Sequence, residues 1–232
     1  MLRLVIGDKQ LSSWSLRAWF LLRQLALPFE EIALALDTPG FAAAIARHSP
    51  AARVPVLIDA ACHVWDSLAI AEYVNELVGG LGWPAIPAVR ARARSVSAEM
   101  HSGFAALRAQ WPFAAASTGC TNTLDAAGRA DLRRIESIWS ECREQQPEDG
   151  PWLFGRFSIA DAMYAPVVLR CRTYGAQLPA SAQQYVSTVA DNPHVRDWIR
   201  GAQHELATAR AGPSDQRVKP DATRPGNPGR NS

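Results

Sequence analysis

The sequence predicts a two-part chain, an α/β unit of order βαβαββα up to about residue 78 and an all-helical unit from about residue 88 to 210. Three observations predict it. Short apolar runs of strand length, at residues 2–6, 29–36, 54–58 and 63–65, are confined to the first third of the chain. Residues 79–87 are punctuated by Gly79, Gly80, Gly82, Pro84 and Pro87, the clearest linker in the sequence. Beyond that linker only long helical patterns occur.

Residues 2–6 alternate too little for a half-exposed strand, and their Leu, Val and Ile content suits burial on both faces. Residues 12–15 then offer several possible N-caps, and residues 16–27 are apolar almost all round, so a buried helix ending at Pro28 is expected. A second strand over 29–36 and a short helix over about 39–48 complete a βαβα pattern. Residues 54–58 and 63–65 are separated by a hairpin-length gap. Ser67 is expected to cap a third helix over 68–78. This order is the thioredoxin-like arrangement. In the second unit, helices are expected at about 88–111, 124–146, 159–172, 180–190 and 193–210, packed as a bundle. Residues 211–232 hold four prolines and three glycines but almost no large apolar side chains, so they are expected to form a disordered tail.

Composition narrows the function classes. The formal charge of +2 comes from the tail, where Arg217, Lys219, Arg224 and Arg230 face only Asp215 and Asp221. The remaining body is neutral, which argues against nucleic acid as a partner. No run of eighteen apolar residues is present, and MLRLVIGDKQ lacks a secretory h-region, so no membrane partner and a cytoplasmic location are expected. Cys62, Cys120, Cys142 and Cys171 are far apart, and the five histidines have no i, i+4 partner, so no metal site is expected. The run Arg90, Arg92, Arg94 reads as a solvated face or subunit-interface charge, and most of the eight tryptophans as core or interface packing.

Three places carry candidate chemistry. The first is the hydroxyl cluster Ser12-Ser13-Trp14-Ser15 at the start of the first helix. Helix N-termini stabilise anions, and a thiolate is one. A thiol of pKa about 8.5 is only about 3% ionised at pH 7, and lowering it by two units takes about 2.7 kcal/mol. One hydroxyl donating to a charged acceptor contributes roughly 1.5–3 kcal/mol, so a serine plus the helix end suffices. The same serines also suit simple capping. The second is Arg53-Val54-Pro55-Val56, where a proline enters a strand. A cis Val54-Pro55 bond at the sheet edge would turn the Val54 N–H and C=O outward to pair with an extended peptide; a trans proline at the first strand residue is the ordinary alternative. The third is Asp66-Ser67 at the opening of the third helix, where Asp66 suits an ammonium and Ser67 with its N–H a carboxylate, or both merely cap.

In this order the three places resemble the glutathione transferase superfamily, and the likeness extends over residues 1–210, including Phe154-Gly155-Arg156-Phe157-Ser158-Ile159-Ala160-Asp161, where Ser158 and Asp161 form a structural capping box. The resemblance implies that Ser12, with Ser13 as runner-up, hydrogen-bonds the glutathione sulfur. It implies that Val54 with Pro55 pairs with the cysteinyl backbone, and that Asp66 with Ser67 holds the γ-glutamyl group. Arg17 and Arg53 are candidates for glutathione's carboxylates, and Trp14 and Trp111 for the acceptor pocket. SSWSLR is similar to the SSCSWR stretch of zeta-class enzymes, with Trp14 where that class has a cysteine, and the whole is similar to bacterial serine-type transferases of the YfcF kind. The resemblance implies a glutathione transferase acting on a small electrophile, with glutathione as co-substrate, no metal, and a homodimer. A glutathione-dependent isomerase (maleylacetoacetate isomerase-like) or peroxidase, and a non-catalytic binding or stress protein on the same fold, are the alternatives.

Overall fold

The computed structural model describes residues 1–145 and 149–211. The expected disordered tail and Gln146, the expected last residue of a helix, lie outside the described residues, except for Ala211, which ends a helix.

Four strands, β1 (Leu2–Gly7), β2 (Phe29–Leu34), β3 (Val56–Asp59) and β4 (Cys62–Trp65), form one sheet of order β2-β1-β3-β4. β1 runs parallel to β2 and antiparallel to β3, and β3 pairs antiparallel with β4. A parallel pair needs a crossover, and α1 (Ser13–Gln24) supplies it. Strand alternation divides the burial. Leu4, Ile6 and Leu57 enter the main core with α1 and α3 (Ser67–Leu77), whereas Val5, Val56 and Ile58 meet Ile45 of α2 (Phe41–Ala46) on the opposite face.

The helical unit comprises α4 (Pro87–Ser102), α5 (Ala105–Gln110), α6 (Ala126–Glu144), α7 (Ile159–Thr173), α8 (Ala180–Ala190) and α9 (Pro193–Ala211). The main core continues from the sheet through α1 into α7 as one cluster of buried apolar residues. Ser15 through Leu22 are all buried, as a helix apolar on every side must be when a sheet covers one flank and a helix the other.

Two expectations are corrected. The first helix stops at Gln24, before Pro28, because Leu27 N–H closes onto Leu22 C=O around Ala26 in the left-handed region at φ 53°. The helix expected over 88–111 is two helices. Gly103 is extended at their junction, where a Cβ would sit 2.7 Å from the Glu99 carbonyl oxygen, and Phe104 takes φ 59° and buries its ring. The Arg90, Arg92 and Arg94 run lies at the surface, where Arg90 donates to the Ala85 C=O of the linker, Arg92 pairs with Glu141 and Arg94 with Glu72.

Asp161 sits at the centre of this assembly, fully buried. Its carboxylate accepts from Ser158 N–H at 2.8 Å, Ser158 Oγ–H at 3.1 Å, Leu153 N–H at 3.0 Å and Tyr185 O–H at 3.1 Å. Burial pushes its pKa up to about 6, against the pull of these donors. The pair with Ser158 is thus a capping box extended to α8. Asp161→Ala strands four buried donors, each costing about 1–3 kcal/mol when unpaired, so urea denaturation at pH 7.5 is expected to show a loss of at least about 3 kcal/mol.

Candidate functional site

The turn from β1 to α1 is held by the helical unit. Glu205 of α9 accepts the Lys9 and Gln10 N–H groups, Trp198 Nε1–H donates to Lys9 C=O, and Gln10 exchanges hydrogen bonds with residues 115–117. Ser12 ends the turn as the N-cap of α1, its Oγ accepting the Ser15 N–H at 3.3 Å and lying 2.7 Å from Ser15 Oγ. Ser15 Oγ in turn accepts the Gly7 N–H. Ser12 is therefore both cap and member of a buried hydroxyl pair, and Ser15 is a participant that the motif comparison passed over. Ser13, one residue on, is half-buried and its hydroxyl has no hydrogen-bond partner among the described residues.

The Val54-Pro55 bond is cis, but not at a sheet edge as expected: β3 is an inner strand, and the bond lies at its N-terminal end. It borders a cavity of about 370 Å3 that also takes in Arg53, Asp66, Ser67, Trp14 and His101. Asp66, not Ser67, is the N-cap of α3; at φ 75° it turns Oδ1 onto the N–H groups of Leu68 and Ala69. Its Oδ2 lies 3.2 Å from His101 Nε2 of α4. Ser67 is left with a buried Oγ that has no hydrogen-bond partner among the described residues. A larger recess, about 420 Å3, lies between the linker and the start of α7 but contains none of the three motifs. Chemistry rather than volume identifies the site.

Arg17 and Trp111 are not where expected. Arg17, 3% exposed, is packed with its guanidinium carbon 4.2 Å from the centre of the Trp14 ring instead of lining the cavity. Its Nε and Nη1 have no hydrogen-bond partner among the described residues. Burial, then Arg108 and Arg170, lowers its pKa to about 9, with Asp66 pulling the other way. Arg108 of α5 lies 5.3 Å from the same ring, and His101 meets it edge-on. Trp111 is buried, stacked on Tyr174, with its Nε1–H on Asn122 C=O and its own carbonyl holding Arg170 Nε; it does not reach the cavity. His101 and Arg108 carry no local motif, since they meet Trp14 only after α4 and α5 fold over α1. Among the described residues no group of three His, Cys, Asp or Glu is placed to hold a metal ion, and no helix is long and apolar enough to cross a membrane.

Comparison with known proteins places this geometry. Residues 11–77 match the family described as the N-terminal domain of glutathione S-transferase, and residues 87–201 match its C-terminal domain. The chain belongs to the glutathione S-transferase family. Its fold is shared with a glutathione transferase homologue from Burkholderia BGR1 solved with bound glutathione, at TM-score 0.68 and 23% identity over 88% of this chain and 98% of that one. A glutathione transferase from Methylococcus capsulatus follows at 0.66 and 22%, over 88% of this chain and 100% of that one. A Tau class enzyme from mango follows at 0.65 and 18%, over 89% and 97%. A search of curated proteins by sequence finds no match.

The Ser67 hydroxyl contributes no internal hydrogen bond. Ser67→Ala is therefore expected to leave the free protein as stable or to stabilise it by up to about 1 kcal/mol in thermal or urea unfolding, the reverse of a lost cap.

Proposed function

We propose that the protein is a serine-type glutathione transferase that activates the glutathione thiol and directs it at a small electrophile held between the two units. The observation that carries the reading is the cavity itself: the inner cis-proline backbone, the Asp66 carboxylate and the unpartnered Ser67 hydroxyl all border one space near the N-terminus of α1. Two relatives solved with bound glutathione, the Burkholderia homologue and a theta class enzyme from Xanthomonas axonopodis, support the ligand. In this reading Val54 pairs with the cysteinyl backbone. Ser67 Oγ and the α3 N-terminus take the γ-glutamyl carboxylate, and Asp66 Oδ2 takes its ammonium. Arg53, exposed at the rim, faces the glycyl carboxylate.

Ser12 is the sulfur donor of choice: its hydroxyl, which donates to Ser15 Oγ in the structure, is released for a thiolate when the Ser15 hydroxyl turns to donate to Ser12 Oγ instead. The α1 N-terminus adds its partial positive charge. Ser13 is the competing donor, since its hydroxyl needs to break no bond. Catalysis then comes from thiolate formation and proximity, as no protein nucleophile is needed. A cytoplasmic homodimer is part of the same proposal, supported by the family.

Kinetics with 1-chloro-2,4-dinitrobenzene, alongside the ultraviolet thiolate band of bound glutathione, test the assignment. Ser12→Ala is expected to lower kcat/KM by about 10- to 100-fold, the equivalent of one charge-assisted hydrogen bond, and to shift thiolate formation to higher pH. Ser13→Ala is expected to stay within about twofold of the parent. The reverse pattern transfers the role to Ser13. Glutathione binding that both substitutions leave intact, with no turnover, identifies a non-catalytic binding protein.

A further inference from the structure

Two guanidinium groups, from α1 and α5, converge on one tryptophan ring, and a third, from α7, rests on Phe113. Arg17 of α1 and Arg108 of α5 lie 4.2 and 5.3 Å from the Trp14 ring centre, and Arg170 of α7 is close enough to both to repel them electrostatically. Arg17 and Arg170 are 3% and 5% exposed. Among the described residues none of the three has a carboxylate within ion-pair distance. Arg170 has only the Trp111 carbonyl and the Phe113 ring, Arg108 only a long contact to His101 C=O, and Arg17 only the Trp14 ring. The two nearest carboxylates are otherwise engaged, Asp66 with its helix cap and His101, and Asp131 with the Leu107 N–H.

Buried cations are normally paired, because a charge withdrawn from water without a counter-ion is costly. Cation–π contact with Trp14 returns only part of that cost. The missing partner is an anion, and Trp14 is a wall shared by this cluster and the cavity. Arg108, half-buried, is the accessible edge; Arg17 and Arg170 behind it add positive potential in a low-dielectric wall.

We propose that Arg108, beside Arg17 on the Trp14 ring and with Arg170 on Phe113 adding to the positive potential, binds a carboxylate carried by the electrophile, so that the protein selects anionic acceptors over neutral ones. This rests on the transferase reading of the same cavity and adds the class of acceptor to it. A guanidinium fork matches a planar carboxylate bidentately. The arginines of the helical unit are separate from the Arg53 and Ser67 side assigned to glutathione, which places the carboxylate on the second substrate.

Calorimetric titration of 4-nitrobenzoate and its neutral isostere 4-nitrobenzamide, with and without S-methylglutathione, tests this without requiring turnover. The benzoate is expected to bind at least about tenfold more tightly than the amide. Arg108→Gln is expected to abolish that preference, and Arg108→Lys to keep part of it, since the charge stays and the fork is lost. Glutathione affinity is expected to be equal in the parent and Arg108→Gln. Equal binding of the two probes, or a preference that survives Arg108→Gln, overturns the proposal. Competition between 4-nitrobenzoate and S-methylglutathione also overturns it, by assigning the cluster to glutathione's own glycyl carboxylate. The glutathione titration judges the transferase reading separately: Arg108-dependent benzoate binding without glutathione binding preserves the anion site and removes the transferase.

Discussion

The structure depends on the need to cover α1 from two sides. A helix with an unbroken buried stretch from Ser15 to Leu22 cannot lie on a sheet alone, because half its apolar surface would face water. The sheet covers one flank and α7 the other, so the two units share a single core. Everything at the site follows from this arrangement. The α1 N-terminus is held at the junction, the loop before it is clasped by Glu205 and Trp198 of α9, and Arg17, the one charged residue in the buried stretch, is carried into the interior.

Buried polar groups are served unevenly across the fold. Asp161 is satisfied by four donors, whereas among the described residues Arg92 Nε, Trp139 Nε1, Arg143 Nε and His194 Nδ1 are buried without hydrogen-bond partners away from the cavity, and Ser67 Oγ and His101 Nδ1 are so at residues that line it. The cavity is set apart from the larger recess at the linker by the combination of the cis-proline backbone, the Asp66 cap and the Ser67 hydroxyl. A buried hydroxyl of this kind is served when a ligand completes its bonding.

Much of the architecture was legible because the sequence carries its own period and punctuation. The strands at 2–7 and 29–34, the linker glycines and prolines, and the capping box of Ser158 and Asp161 are local signals. The misplacements are equally instructive. The helix end before Pro28 and the break at Gly103-Phe104 are set by left-handed residues, Ala26 and Phe104, that no propensity favours; burial of the Phe104 ring overrides it. The α3 cap moved from Ser67 to Asp66 because two good capping residues stand side by side and only the approach of the chain selects between them.

By itself the sequence determined the element order of the first unit and the two-unit division, since these depend on patterns a few residues long. It also brought forward Ser12, Val54, Pro55, Asp66 and Ser67 as a set. Only the tertiary structure decided that the 88–111 segment breaks into two helices, that Trp111 is stacked away from the cavity, that His101 faces Asp66, and that Arg17 and Arg108 meet on Trp14. Those contacts join residues on different helices far apart in the chain, and nothing in the local sequence of one helix records which face of another it will meet.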